Sequence, residues 1–196
     1  MGKNHLGGIS MRTHNISTRK LAFTALMAAL TAVASALRVK VPLDISGFSA
    51  FHLGNIMCAL SGILLGPWLG GAAAGIGSAL HDIIFDPAYI SECWLTFLMK
   101  GAYGIAVGLI CNKEGVSYLR SLIATIGGAL TYAVLYLAKS YFYSGLLISG
   151  LTPDAALLNL VGKLPATFFN AVIAIICAPL LAIAISKALN KSHLTL

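Results

Sequence analysis

Residues Phe51 to Gly104 join three long apolar runs. The first two meet at Gly66-Pro67, a glycine ladder and an acidic loop follow, and the third run carries Lys100 in its interior. Backbone in lipid must satisfy its own N–H and C=O groups, and runs this long do so as helices rather than as alternating barrel strands. Gly71, Gly75 and Ala79 recur at four-residue spacing, as do Gly104 and Gly108, which puts small residues on common helix faces. Lipid supplies no hydrophobic force between helices, so close approach at small residues provides the contact instead.

Composition leads to the same class. Hydrophobic residues make up 58% of the chain and charged residues 10%, against roughly 25% charged in soluble domains, and the mean hydropathy is +0.88. The expected fold is therefore all-α, an integral membrane protein with six transmembrane helices. The net charge of +7 is read as basic residues at cytoplasmic helix ends, with no nucleic-acid partner. Cys58, Cys93, Cys111 and Cys177 form no C-x-x-C pair and are read as reduced packing residues. No His and acid set has metal-ligand spacing, so neither a metal nor a cofactor is expected.

In chain order, a polar segment (1–18) precedes a membrane domain (19–188) and a basic tail (189–196). Within the domain the expected helices are 21–37, 50–65, 68–85, 94–111, 121–148 and 155–188, with 38–50 a loop and Thr152 or Asp154 capping the last helix. Arg19 and Lys20 before an apolar run ending in Ala34-Ser35-Ala36 have the layout of a signal peptide. The stripes Ala25/Ala29 and Ala28/Ala32/Ala36 favour a retained helix with a smooth docking face. Counting Lys and Arg by loop gives Lys3, Arg12, Arg19, Lys20, Lys113, Arg120, Lys187 and Lys191 on one side, and Arg38, Lys40 and Lys139 on the other. Both termini are thus expected in the cytoplasm of a cell-membrane protein.

With that orientation, the ionisable residues of the spans gather toward the outside. Lys100 and Lys163 each lie beyond the first turn of a helix, Lys100 about 9 Å deep. His52, His81 and Asp82 sit at outer helix ends, and Lys139 divides between snorkelling and ligand contact. A charge in hydrocarbon is costly unless paired or wet, so the expected feature is a polar pocket open outward, with Asn170, Tyr132, Tyr136 and Tyr143 available to bond or stack on a ring. The plainer alternative for Asp82 is a structural ion pair with Lys100. No G-x-x-x-x-G-K-[ST], H-E-x-x-H or G-x-S-x-G is present, so no catalytic residues are expected and energy for transport must come from another chain.

From residue 19 to 188 the sequence resembles the substrate-binding S components of energy-coupling factor (ECF) vitamin transporters. The likeness is carried by HLGN (His52 to Asn55), GILLGPWLGGAAAGIGSALHD (Gly62 to Asp82) and TFLMKGAYG (Thr96 to Gly104). It implies a binding subunit that captures a micronutrient from outside and topples against a transmembrane T subunit driven by two ATPases. It maps T-subunit docking to Ala25 and Ala29, or to Ala28 and Ala32 in the alternative register, and a ligand-covering loop to Pro42 through Phe51, with Phe51 and Asn55 among the expected substrate-binding residues. Arg38, Lys100 and Lys163 suit a ligand rich in acceptors, which leaves pantothenate, folate, a pyridoxine-type compound and cobalamin open. The competing readings are an intramembrane enzyme in which His52, His81 and Asp82 converge, and a stand-alone transporter, which would carry inverted repeats.

Overall fold

A computed structural model describes residues 17–43, 47–111 and 116–192. Helix α1 (Thr18–Ala36) leads into an antiparallel hairpin of β1 (Arg38–Leu43) and β2 (Gly47–His52). Helix α2 (Gly54–Ile84), a 3-10 helix (Pro87–Glu92) and α3 (Cys93–Cys111) follow, then α4 (Tyr118–Ala138), a π-helix (Lys139–Ile148) and α5 (Pro153–Lys191). Most of the polar amino-terminal segment, Asp44, Lys113 and residues 193–196 of the tail lie outside the described residues.

Helix starts follow capping chemistry. The hydroxyls of Ser17, Ser117 and Thr152 accept from the N–H groups of Lys20, Arg120 and Ala155 at 3.3, 3.5 and 3.4 Å, satisfying donors that a first turn leaves unpaired. The stretch 38–50 departs from the expected loop. Alternating valines in Arg38-Val39-Lys40-Val41 and the aromatics Phe48 and Phe51 favour extended backbone, and pairing Arg38 with His52 through Leu43 with Gly47 satisfies its polar groups. The following helix consequently starts at Gly54 rather than Ala50.

Among the described residues, five helical stretches are long and apolar enough to cross a membrane: Thr18–Ala36, Gly54–Ile84, Pro87–Cys111, Tyr118–Ile148 and Pro153–Lys191. The sequence reading counts six because it divides Gly54–Ile84 at Gly66-Pro67. Gly66 does leave the helical conformation, at φ 77° and ψ −175°, a backbone state that glycine adopts without a Cβ penalty. The chain doubles back there. Cys58 Sγ lies 3.7 Å from Ser78 Oγ, whereas a straight helix would separate those residues by about 30 Å.

Glycine lets the two limbs of α2, and their neighbours, approach along their backbones. A Cβ on Gly70 would fall 2.5 Å from the Ser61 carbonyl oxygen, and one on Gly104 would fall 2.9 Å from Gly71 Cα. One on Gly108 would meet Pro67 N at 2.4 Å, which brings the end of α3 to the Gly66 turn. On the other side, Gly77 packs against the Ala28 carbonyl of α1, at 2.3 Å from the same hypothetical atom. The bundle therefore has two unlike ends. One carries the Gly66 turn, the end of α3 and the start of α4; the other carries the hairpin, the 3-10 helix and the π-helix.

Gly108→Val is expected to lower the melting temperature of the detergent-purified protein by more than Gly150→Ala. The first drives a side chain into backbone, while the second, at φ 59° with open space around it, costs only about 1–2 kcal/mol of left-handed strain. Equal melting temperatures would remove close packing as the reason for the glycines.

Candidate functional site

A cavity of about 400 Å³ opens at the hairpin end, walled by α1, the hairpin, both limbs of α2, the 3-10 helix, α3, α4, the π-helix and α5. Its size lies within the range of small-molecule sites. Arg38, His52, Asn55, His81, Asp82, Lys100, Tyr136, Lys139, Lys163 and Asn170, all singled out from sequence, line it together. Phe51 does not; its ring stands edge-on to Phe169 of α5 with centroids 4.7 Å apart. Tyr143 also stays outside the lining and meets Trp94 instead.

Lys100 is 5% exposed. It donates to Asn55 Oδ1 across the α2–α3 contact, and its Nζ lies 3.8 Å from the centroid of the Tyr132 ring, so dispersed negative charge on the ring face supplements the amide. Tyr132 is stacked between Tyr103 at 6.0 Å and Tyr136 at 5.7 Å. Farther along, Lys163 lies 5.9 Å over the Tyr136 ring and donates to Ser140 Oγ at 3.4 Å.

Carboxylates of the site are engaged with other partners. Asp86 binds Arg38 at 2.7 Å, Glu92 accepts from Lys139, and Asp82 meets His81 Nδ1 at 3.1 Å. The alternative pairing of Asp82 with Lys100 is not formed. Among the described residues, Lys100 and Lys163 have no carboxylate within ion-pair distance. Both cationic heads are thus held by neutral groups, an arrangement that suits a ligand rich in carbonyl, ring-nitrogen or hydroxyl acceptors.

The hairpin is tied to the same wall. The N–H of His52 donates to Asn170 Oδ1 of α5 at 3.0 Å, and His52 Nδ1 accepts from the Gly54 N–H at 3.2 Å. Burial pushes the His52 imidazole down to about 3, with the Lys100 charge adding to the effect, so the ring is neutral and its Nδ1 lone pair stays available to Gly54.

Tyr132, which the sequence offers as a stacking aromatic, lines the cavity too, and so do Ser35, Ser78, Tyr89, Glu92, Thr96, Met99, Ser144, Ser149 and Thr167, which the sequence does not single out as ligand contacts. The hydroxyl residues gave no signal, because serine and threonine in membrane helices ordinarily bond their own backbone. On α1, Ala25 and Ala29 are exposed, whereas Ala28 and Ala32, each 6% exposed, turn inward. Ala28 packs against Gly77 of α2 within this chain, so the Ala28/Ala32 face is the inward one.

Residues 15–187 match the family model described as "ECF-type riboflavin transporter, S component". The chain belongs to this family. It is accordingly a membrane transporter's substrate-binding subunit and not an enzyme. A relative from Pyrococcus woesei, described as "Uncharacterized protein in gap 3'region", is 34% identical over 117 residues, covering 60% of this chain and 74% of that protein. The polar cavity at one end of the S component fits such a subunit, as does the commitment of His52 to backbone contacts rather than to a reacting group.

Asn55→Leu is expected to destabilise the S component by about 2–3 kcal/mol, since it leaves a buried ammonium without its acceptor. Adding Lys100→Met should restore much of that loss, because the orphaned charge is then gone. A double variant as unstable as the single one in thermal melts would show that Lys100 does not depend on Asn55.

Proposed function

We propose that this S component captures riboflavin at the extracellular face of a prokaryotic plasma membrane and delivers it by toppling against a T subunit driven by two ATPases. The observation that carries the ligand is the joining of the riboflavin family match to a cavity wall in which stacked Tyr132 and Tyr136 adjoin two lysines without carboxylate partners. An isoalloxazine ring is planar and apolar on its faces, and its edge carries carbonyl oxygens and ring nitrogens that accept from Lys100. Its polyhydroxyl chain matches the polar side of the cavity, where Lys163, Lys139 and Glu92 lie. Riboflavin thereby replaces the four vitamins left open by the sequence.

The six-span arrangement is supported by the fold-back at Gly66, which makes α2 two antiparallel limbs. An even number of spans puts both termini on one side. Arg19, Lys20, Arg120, Lys187 and Lys191 belong to the bundle end away from the hairpin, and basic residues at helix ends favour the cytoplasmic side. The cavity then opens outward. T-subunit docking at Ala25 and Ala29 is supported by their exposure on α1 beside Leu21, Leu26 and Val33, a smooth face that a partner helix can approach.

Purified chain titrated with riboflavin is expected to quench flavin fluorescence with saturable binding, and Lys100→Met to weaken it at least about tenfold, the loss of one charge-assisted hydrogen bond. Absence of saturable binding would overturn the ligand. Ala25→Trp and Ala29→Trp should abolish cellular uptake while leaving binding to the isolated chain intact; loss of binding would overturn the docking role.

A further inference from the structure

Six hydroxyls on the spanning helices follow one habit, while those of Ser78 and Ser121 meet the sulfurs of Cys58 and Cys111. Thr24, Thr31, Ser61, Thr125, Thr131 and Thr167 each donate to the carbonyl four residues back, at 2.7 to 2.9 Å, the usual way such residues satisfy a donor away from water. Ser144 departs from it. Its Oγ is closed off from solvent and has no hydrogen-bond partner among the described residues.

The local backbone explains the departure. Ser144 lies within the π-helix Lys139–Ile148, where the ladder runs to the fifth residue, as when the Ser149 N–H donates to the Ser144 carbonyl at 3.0 Å. That wider turn displaces the carbonyl four residues back from the position a seryl hydroxyl reaches in an α-helix, and π segments recur at functional sites for this kind of reason. Ser140, one turn earlier, is already engaged by Lys163. Ser144 lines the cavity with Ser149 and Ile148.

We propose that Ser144 is a ligand-binding residue that exchanges a hydrogen bond with a hydroxyl of the bound molecule's polyol chain, an assignment that rests on the riboflavin reading. The aromatic faces of the cavity belong to Tyr132 and Tyr136 of α4, which hold the ring. The π-helix contributes Lys139, Ser144 and Ser149, so the polar chain is the part of the ligand that meets it. A serine hydroxyl both donates and accepts, which matches a row of alcohols better than a fixed donor does.

The test compares riboflavin with lumiflavin, which keeps the ring but has a methyl group in place of the polyol, in fluorescence titrations of the full chain and of Ser144→Ala. Ser144→Ala is expected to weaken riboflavin by about five- to tenfold, the loss of one hydrogen bond, to leave lumiflavin binding unchanged, and to melt no lower than the unsubstituted protein when unliganded. Unchanged riboflavin affinity, or equal weakening of both flavins, would overturn the role of Ser144. Failure of the unsubstituted protein to bind riboflavin would overturn the ligand itself and the proposal with it.

Discussion

Backbone-to-backbone contact between helices is the constraint on which the rest of this structure depends. Gly70 against Ser61, Gly104 against Gly71, Gly108 against Pro67 and Gly77 against Ala28 each leave no room for a methyl group. Where oil-like surroundings give helices no reason to associate, these contacts supply dispersion over long backbone stretches. They also set the shape. The bundle closes around the Gly66 turn, and toward the hairpin end it widens, where Lys100, Tyr132, Tyr136 and Lys163 occupy the positions facing inward. The cavity is thus a consequence of small residues at one end and large polar ones at the other.

Electrostatics turn that widening into a receptor. Three carboxylates are occupied by Arg38, Lys139 and His81; the Arg38–Asp86 pair ties the hairpin to the start of the 3-10 helix, and the Lys139–Glu92 pair ties the end of the 3-10 helix to the π-helix. Lys100 and Lys163 lean instead on an amide, a hydroxyl and two tyrosine rings. A cation held by neutral groups in a low-dielectric setting gains when a ligand brings acceptors. Among the described residues, the buried charged groups all lie in the half that holds the cavity, an arrangement that lowers the cost of turning such a subunit within lipid.

Much of this is legible in the sequence, for physical reasons that differ by element. Gly66-Pro67 announces a break because proline removes a donor and glycine permits φ 77°; the ladder from Gly71 to Gly75 announces close packing. Lys100 and Lys163 stand out because charge is so rare in these runs. The hairpin was missed because one short alternating segment, Arg38 to Val41, is a weak signal beside a proline. The contact of Phe51 with Phe169 depends on strand geometry that a sequence does not show. Ala28 and Ala25 look alike on paper, and only the approach of Gly77 separates a buried face from an open one. Ser144 was invisible, since nothing in Lys139-Ser140-Tyr141-Phe142-Tyr143-Ser144 announces a π-helix.

The central claim is that the polar cavity opens on the extracellular side and is closed toward the cytoplasm. The direct measurement is sided labelling of Thr167→Cys, with the four native cysteines replaced and the chain expressed without partners, using a membrane-impermeant maleimide on right-side-out and inside-out vesicles. Labelling of right-side-out vesicles alone, blocked by riboflavin, is the result the proposed orientation and ligand predict. Labelling of inside-out vesicles alone, or labelling indifferent to riboflavin, would contradict it.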